Sequence, residues 1–476
     1  MTDAGRRMED ADKGSQPTTL PVRLLGDDGL VPCIDGQDRI YVNLDSAAST
    51  SALPEVARTV HEFLPWYSSV HRGAGYKSRR ATAAYEDARA AALAFAGRPS
   101  DGRDVAIICR NTTEAINHLA YRLRLGPDDV VVTTVVEHHA NLLPWARACR
   151  RRYIECGPDG TFEPAAVADA LGESPRPRLL AITGASNVSG WLPDLGAIVP
   201  AAHDLGVPVL VDGAQLAPHR PLPETVDFVA WSGHKMYAPF GAGVLIGPRT
   251  AFTEGDPFLA GGGAVDLVDL EEVIWTDPPE REEAGSPNVV GAVALHAAIE
   301  ALDRIGWDAV ASHDRALSAR LRSGLAAIGG VRLLGPGPEV DTLPVATFTV
   351  EGLPHALVAA RLSAEFGIGV RHGCFCAHPY LMRLLGLSEA EVDDYRAAVR
   401  AGDRRRVPGA VRASAGLGTE LSDVDRLLAA VAEIASGRAA PVAYTQDRVT
   451  GDFWPEGEAR GWGTAERAVG ASCARG

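Results

Sequence analysis

Long apolar runs, excess positive charge and a dense set of cysteines are all missing from this sequence. No apolar run reaches the roughly 18 residues of a membrane-spanning helix, and the opening MTDAGRRMEDADKGSQ lacks the apolar core of a signal peptide. The 46 Lys and Arg against 61 Asp and Glu give a formal charge of −15, whereas binding to nucleic acid or anionic membranes requires clustered positive charge. Seven cysteines in 476 residues do not make a disulfide framework. We therefore expect a cytoplasmic protein with reduced thiols that binds neither nucleic acid nor membranes.

The composition favours a globular protein with more than one domain. Of the 476 residues, 46% are hydrophobic and 22% are charged, which provides apolar surface for more than one core. Polar stretches without hydrophobic periodicity occupy both ends of the chain. We expect a disordered segment over 1–20, a large domain over 21–310, a smaller domain over 311–440 and a poorly ordered tail over 441–476. The N-terminal part of the large domain should contribute to the smaller one.

Short runs rich in Val and Ile alternate with helical patterns through the middle of the chain. The runs are DVAIIC, VVVTTV, RLLAIT, VPVLVD and DFVAWS, which end at residues 109, 135, 183, 212 and 232. Strands that are buried on both faces and separated by helices form parallel sheets covered by helices. We predict helices over 114–124 and 140–151 between the first runs. The predicted fold class is α/β: a large domain with a mostly parallel sheet flanked by helices, and a smaller C-terminal α/β domain.

Polar residues follow several of these runs, where the carboxyl ends of parallel strands form a ligand crevice. Asp212 ends VPVLVD, and Lys235 follows DFVAWSGH. This pair fits pyridoxal phosphate, because an amine can bind its aldehyde and a carboxylate can keep its pyridine nitrogen protonated. Gln215 can reach the ring hydroxyl. A single lysine after a strand is more often a surface residue, so the prediction depends on the combination DGAQ…SGHK.

A phosphate group requires hydrogen-bond donors at the start of a helix. Thr112 and Thr113 follow the run DVAIIC and precede the helical segment EAINHLA. Hydroxyl side chains and free N–H groups at a helix N-terminus bind anions, although a plain helix cap gives the same pattern. Ser232 and His234 can add donors to the same phosphate.

Two further segments combine histidine and cysteine with other reactive groups. The imidazoles of EHHAN, at 137–141, can stack on a flat ring, transfer protons or bind a metal. The segment RHGCFCAHP, at 371–379, allows a reactive thiolate beside an arginine that binds a carboxylate, a metal site, or two packed cysteines. We expect no metal, because no further ligand cluster at a fixed spacing completes either site.

Ten motifs of the sequence resemble, in order, those of a known family. They are NLDSAAST (43–50), HRG (71–73), NTTEAIN (111–117), EHHANLLPW (137–145), SNVSGWLPD (186–194), VDGAQLAPH (211–219), SGHKMYAPFGAGVL (232–245), EAGSPN (283–288), RHGCFCAHP and VRAS (411–414). They are similar to those of the class V aminotransferase group of fold-type I pyridoxal phosphate enzymes. Within that group the resemblance is closest to the group II cysteine desulfurases and selenocysteine lyases. It runs from about residue 40 to 437 and implies that the large domain binds pyridoxal 5′-phosphate.

The resemblance implies a role for each matching residue. The implied cofactor-binding residues are Thr112, Thr113, His138, Asn187, Asp212, Gln215, Ser232, His234, Lys235 and Ser286, the last reaching the cofactor phosphate of the partner in a homodimer. The implied substrate-binding residues are Arg72, which lines the partner's pocket, and Arg371 and Arg412, which bind the substrate carboxylate. The implied catalytic residues are Lys235, which binds the cofactor covalently, His138, which stacks on its ring, and Cys376, which lies five residues after Arg371 in the pattern R-x-G-x-x-C.

The resemblance also implies the reaction. A cysteine desulfurase takes the sulfur of L-cysteine, leaves alanine and forms a persulfide, here on Cys376, from which a sulfur-acceptor protein receives it. The alternative is a class V aminotransferase, epimerase or C–S lyase acting on another amino acid, in specialised biosynthesis, with Cys376 merely structural. Cys374 and Phe375 stand where the desulfurases usually have two histidines; the GCFC sequence also occurs in molybdenum-cofactor sulfurases.

Overall fold

The structure is a computed structural model that describes residues 20–456. Its α-helices are α1 Pro54–Phe63, α2 Tyr76–Phe95, α3 Thr112–Arg122, α4 Leu143–Ala148, α5 Pro164–Gly172, α6 Leu195–Asp204, α7 Val289–Ile305, α8 Trp307–Ala326, α9 His355–Phe366, α10 His378–Leu385, α11 Glu389–Arg400 and α12 Leu421–Ala435. Over that same part of the chain, no helix is both long and apolar enough to cross a bilayer. The segment 1–19, which carries nearly all of the predicted disordered N-terminus, lies outside the described residues.

The strands form one large sheet, one smaller sheet and several two-stranded ribbons. They are β1 Leu30–Pro32, β2 Asp38–Ile40, β3 Val42–Asn43, β4 Asp104–Cys109, β5 Val130–Thr134, β6 Arg150–Ile154, β7 Leu179–Thr183, β8 Val209–Asp212, β9 Phe228–Ser232, β10 Gly243–Pro248, β11 Val265–Val268, β12 Val273–Trp275, β13 Val331–Leu334, β14 Val345–Val350, β15 Ile368–Gly369, β16 Arg371–Gly373, β17 Ala410–Ser414, β18 Tyr444–Gln446 and β19 Phe453–Pro455. Each of the five apolar runs singled out in the sequence forms a strand.

The large sheet is mostly parallel, as predicted. Its order is β4-β10-β9-β8-β7-β5-β6, and the neighbouring pairs from β9 to β6 are parallel, whereas β10 is antiparallel to both β4 and β9. Side chains alternate between two cores: Val209 and Val211 of β8 pack on one face and Leu210 on the other. Helices therefore cover both faces.

One strand at the sheet edge was not predicted. The helix expected over 140–151 ends at Ala148, and Arg150–Ile154 forms β6 beside β5. Because β6 is an edge strand, its arginines reach solvent and its sequence lacks the apolar signal of the inner strands. The difference does not alter the fold class.

The smaller domain contains an antiparallel sheet in the order β13-β14-β17-β16. Helices α8, α9 and α12 pack on it around a separate core that includes Leu317, Leu362 and Leu427. Leu44 belongs to the same core, and β3 pairs in parallel with β15. The segment that contains β3 and Leu44 thus packs against the smaller domain. The domain boundaries at 310 and 440 stay predictions.

The start of the tail is folded, which corrects the expectation of poor order over 441–476. Strands β18 and β19 form a hairpin on α9, where the Tyr444 hydroxyl donates to Glu365 at 3.2 Å. Asp452 pairs with His372 at 3.3 Å. The sequence pattern of this short hairpin is too weak to predict without its contacts. The remainder of the tail, 457–476, lies outside the described residues.

Candidate active site

The carboxyl ends of β7, β8 and β9 meet beside the N-terminus of α3 and enclose a cavity of about 230 Å³. Most of the residues predicted to form a site line this one cavity. They are Thr112, Thr113, His138, Asn187, Asp212, Gln215, Ser232, His234, Lys235, Arg371, Cys376 and Arg412. Asp212, Gln215 and Lys235 lie together because parallel strands end at the same edge of the sheet, as the strand-end argument predicts. The resemblance to the family suggests Asn187, Arg371, Cys376 and Arg412.

Asp212 and Lys235 provide opposite charges in the cavity. Asp212 ends β8 and is 3% exposed, with its Oδ1 accepting a hydrogen bond from the Ala214 N–H at 3.0 Å. Burial raises the pKa of Asp212, and the Ala214 N–H and Lys235 oppose that rise. Lys235 ends a 3-10 turn after β9, and burial lowers its pKa to about 8 although Asp212 acts in the other direction. A substantial fraction of Lys235 is therefore a neutral amine near pH 8.

His138 presents a neutral ring to the cavity. It follows β5, and its Nδ1 accepts a hydrogen bond from the Ala140 N–H at 3.1 Å. Burial, and to a lesser extent the charge of Lys235, lower the pKa of His138 to about 3. The hydrogen-bond pattern assigns the ring proton to Nε2. A flat, uncharged ring in this position suits stacking on a planar ligand.

The N-terminus of α3 forms the anion-binding end of the cavity. Asn111 caps the helix by accepting from the Glu114 N–H at 3.1 Å. The Thr112 N–H donates to the Ser232 Oγ at 2.8 Å, and the two hydroxyl oxygens lie 2.7 Å apart. A Cβ at Gly243 would lie 2.6 Å from the Asn111 Cα, so glycine lets β10 pass directly beneath this helix start. The hydroxyls of Thr112 and Ser232 and the positive end of the helix dipole favour a phosphate here.

His234 and Gln215 lie on the wall of the same cavity. The His234 Nδ1 lies 3.3 Å from the Ser49 Oγ, and burial lowers the pKa of His234 to about 4, with Lys235 adding to the effect. Gln215 donates one N–H of its amide to the Ala47 carbonyl at 2.7 Å. The second N–H of that amide remains for a ligand.

Two arginines lie directly opposite one another on β16 and β17. Arg371 pairs with Arg412 in the strand register, and like charges in this position destabilise a sheet. Asp45 accepts from the Arg412 Nη2 at 3.0 Å and from the Arg371 Nη1 at 3.4 Å. Asp45 therefore offsets the repulsion between the two arginines. Arg412 is 2% exposed and also donates to the Asn187 carbonyl at 2.9 Å, which fixes its position at the cavity wall.

The loop that carries Cys376 is held in a conformation uncommon for non-glycine residues. Phe375 and Cys376 have φ of 55° and 54°. The Cys376 carbonyl accepts from the His139 N–H at 2.7 Å, and the Phe375 carbonyl accepts from the Asn187 amide at 2.7 Å. The guanidinium of Arg412 lies 5.1 Å from the Phe375 ring centroid. These contacts stabilise the loop and leave the Cys376 side chain exposed at the cavity.

Two predicted site residues do not line the cavity. Arg72 is exposed and donates to the Val265 carbonyl at 2.5 Å. Ser286 is also exposed, in the loop before α7. Both were expected to reach the site of a partner chain, so their roles stay predictions.

Sequence reasoning missed two acidic residues. Asp45 lies in the motif NLDSAAST but was given no role, and only the folded register shows that two arginines need it. Glu137 of EHHAN is fully buried and accepts from the Thr134 hydroxyl at 2.8 Å, the Thr183 N–H at 2.9 Å and the Asn141 amide at 2.8 Å. The sequence signal that could have identified Glu137 is its position directly before His138 and His139.

The histidine and cysteine segments do not form a compact metal site. Among residues 20–456, the one group of three potential ligand atoms that lie within 4.8 Å of one another is His71, Glu86 and Glu280. Arg89 already pairs with Glu86 and Glu280, each at 2.9 Å. A guanidinium thus occupies the position where a cation would bind.

Comparison with known proteins identifies the family to which these residues belong. The pattern of the Aminotransferase class-V family matches residues 42–427. The chain belongs to the class-V aminotransferase family.

Two relatives that are similar to this chain are named as cysteine desulfurases. The chain is 35% identical over 410 residues to a probable cysteine desulfurase of Halobacterium salinarum, covering 84% of this chain and 92% of the relative. It is also 35% identical over 414 residues to a cysteine desulfurase of Dickeya dadantii, covering 84% and 93%.

Solved structures of class-V enzymes share the fold. The apo cysteine desulfurase of Thermococcus onnurineus has a TM-score of 0.73 and 30% identity, covering 83% of this chain and 95% of that one. The cysteine desulfurase CsdA of Escherichia coli, in an S-sulfonic acid form, has a TM-score of 0.70 and 32% identity, covering 84% and 96%. The predicted fold-type I architecture is confirmed.

Proposed function

We propose that this class-V enzyme is a pyridoxal phosphate-dependent desulfurase that removes sulfur from L-cysteine and stores it as a persulfide on Cys376. The observation that carries the proposal is the presence of Lys235, Asp212, His138 and Cys376 around one cavity. A cofactor-binding lysine serves many reactions, whereas an exposed thiol at the same cavity suits sulfur transfer.

The donor set of the cavity fits pyridoxal phosphate. The start of α3, with Thr112, Thr113 and Ser232, would hold the phosphate, and His234 would add a donor. The Asp212 carboxylate would face the pyridine nitrogen, and the spare N–H of Gln215 would face the ring hydroxyl. The cofactor supplies the capacity to bind the substrate amine and to stabilise negative charge at its α-carbon.

The chain's own residues would then position the substrate and move its protons. Arg371 and Arg412 would bind the substrate carboxylate with guanidinium hydrogen bonds. Lys235, released from the cofactor when substrate binds, would take the α-proton as a neutral amine, which its lowered pKa favours. His138 would keep the cofactor ring in place through its neutral face.

The sulfur step uses Cys376 as nucleophile. Its thiolate attacks the substrate sulfur, the bond between that sulfur and the substrate β-carbon breaks, and the electron pair stays on the carbon portion. Protonation of that portion gives alanine. The substrate sulfur remains on Cys376 as a persulfide, so cysteine and one enzyme thiol yield alanine and one enzyme persulfide.

We propose a homodimer, because the residues that do not line the cavity share a surface with exposed apolar side chains. Arg72 contacts β11, and the Gly285 N–H, beside Ser286, donates to the Gly262 carbonyl at 2.7 Å. The hairpin β11–β12 exposes large apolar residues: Leu267 at 59%, Leu270 at 104% and Ile274 at 46%. A second copy of the chain would cover this surface. Sedimentation of the active enzyme at low concentration tests it, and an active monomer would contradict it.

We further propose a cytoplasmic location and a sulfur-acceptor protein. A persulfide forms only on a reduced thiol, and the cytosol keeps thiols reduced. Cys376 is exposed, so an acceptor thiol can approach it.

The deciding experiment measures alanine and sulfide released from L-cysteine by cofactor-loaded enzyme with a dithiol present. We expect both products from the wild type and neither from Lys235→Ala. Alanine released at the native rate by Cys376→Ala would replace the proposal with the aminotransferase, epimerase or C–S lyase alternative.

A further inference from the structure

A second thiol lies beside Cys376 in contact with two histidines. The Cys374 Sγ lies 3.3 Å from the His378 Nδ1, and that nitrogen lies 3.2 Å from the His139 Nε2. Cys374 is half-buried, whereas Cys376 is exposed. Cys374 lies in the loop that carries Cys376, His378 is the first residue of α10, and His139 belongs to the EHHAN segment.

The hydrogen-bond pattern places a proton between Cys374 and the histidines. The His139 Nε2 accepts the backbone N–H of His378 at 3.3 Å, so it carries a lone pair. A second lone pair on the His378 Nδ1 would face it at 3.2 Å, which is unfavourable. The His378 Nδ1 therefore carries a proton, which lies within reach of both the His139 Nε2 and the Cys374 sulfur.

Burial and the neighbouring groups act on the pKa of the Cys374 thiol in opposite directions. The backbone N–H groups of Cys376 and Ala377, at the start of α10, lower it. Burial raises the pKa of Cys374 by more than these groups lower it, and the charge of Cys376 raises it further. Cys374 therefore depends on the His378 donor to react as a thiolate. Cys376 is two residues away in the same loop, so the Cα atoms of the two cysteines lie within about 7 Å of each other.

We propose that Cys374 is a second sulfur carrier, which accepts the terminal sulfur of the Cys376 persulfide, with the His378 Nδ1–H as a donor to the Cys374 sulfur and His139 as the residue that positions His378. This inference rests on the proposed formation of a persulfide on Cys376. On this proposal, the cluster of Cys374, His378 and His139 acts in the same reaction. One subunit can then hold two transferred sulfur atoms at once, one on each cysteine.

The transfer balances without an oxidant or a reductant. The Cys374 thiol loses its proton to water, and the resulting thiolate, which accepts from the His378 Nδ1–H, attacks the terminal sulfur of the Cys376 persulfide. A new S–S bond forms on Cys374, the S–S bond to Cys376 breaks, and its electron pair leaves on the Cys376 sulfur. The terminal sulfur keeps its hydrogen, and Cys376 is again a thiolate that can attack a second substrate.

The test counts alanine released by the cofactor-loaded enzyme, without reductant, in a small excess of L-cysteine. We expect two alanines per subunit from the wild type, one from Cys374→Ser, and two from Cys149→Ser, a control that removes a half-buried thiol between α4 and β6. His378→Ala should form the second alanine at least about tenfold more slowly than the wild type, because the Cys374 thiolate loses this donor. Peptide mass spectrometry after alkylation should find added sulfur on both Cys374 and Cys376.

The outcomes separate the two proposals. One alanine from both wild type and Cys374→Ser, with sulfur on Cys376 alone, would overturn the carrier role and leave the desulfurase activity in place. A disulfide between Cys374 and Cys376, or a metal bound stoichiometrically at Cys374, would also overturn it. No alanine from the wild type would refute the desulfurase proposal itself.

Discussion

The reactivity of Lys235 toward the cofactor aldehyde should follow its lowered pKa. The sequence contains three lysines, Lys13, Lys77 and Lys235, so the reaction of a single amine can be followed. Only the neutral amine attacks an aldehyde. Burial in the cavity lowers the pKa of Lys235 from 10.5 to about 8, which should raise the neutral fraction at pH 7.

The magnitude follows from the two pKa values. At pH 7, a pKa of about 8 leaves roughly 9% of the amine neutral, whereas an unperturbed lysine has about 0.03%. Lys235 should therefore react on the order of 300-fold faster than free lysine at pH 7, after correction for intrinsic nucleophilicity. The advantage should fall to about fourfold at pH 10.

The assay mixes apo-enzyme with excess pyridoxal 5′-phosphate from pH 6 to 10 and follows the absorbance change. Dividing each rate by that of Nα-acetyl-lysine removes ionisations of the reagent. Borohydride trapping and peptide mapping should find the label on Lys235, and Lys77→Ala, which removes an exposed amine on α2, should behave as the wild type. A rate ratio that stays constant from pH 6 to 10, or label on another lysine, would refute the argument.

Three further predictions follow from the same cavity. Cys376→Ala should still bind the cofactor but lose persulfide formation by about a hundredfold or more, measured by alkylation after a cysteine pulse, because no other step needs this thiol. Asp45→Asn should lower the free energy of unfolding by about 1–3 kcal/mol in urea, since it leaves the buried Arg412 without its carboxylate, whereas the exposed Asp35→Asn should change little. Burial raises the pKa of Glu137 to about 8, so its contribution to stability is complete below pH 4.5 and is lost as the pH rises toward 8. Between pH 5 and 8, the free energy of unfolding measured in urea should fall with rising pH by about 1 kcal/mol per pH unit more in the wild type than in Glu137→Gln. Equal slopes in the two proteins would contradict this.

The position of the site followed from local pattern. Asp212 and Lys235 end or follow apolar runs, and the ends of parallel strands must meet, so the sequence alone brought them to one crevice. The same reasoning placed Thr112 at a helix start, because its hydroxyl and the preceding Asn111 are typical cap residues.

Contacts between distant segments could not be predicted in this way. His139 and His378 are 239 residues apart, and no spacing rule joins them. The pairing of Arg371 with Arg412 depends on strand register, which the short β16 does not specify. Asp45 acquires its role only through that register.

The hairpin of the tail has a consequence for how the substrate is recognised. It lies beyond residue 427, where the family match ends, yet Asp452 pairs with His372 on β16, the edge strand that also carries Arg371. An edge strand has neighbours on one side only and frays more readily than an inner strand. Substitutions in the tail can therefore alter how firmly β16 holds Arg371, the residue proposed to bind the substrate carboxylate, while every cavity residue stays the same. On that proposal, selectivity among amino acids can differ between relatives through a segment that lies outside the family match.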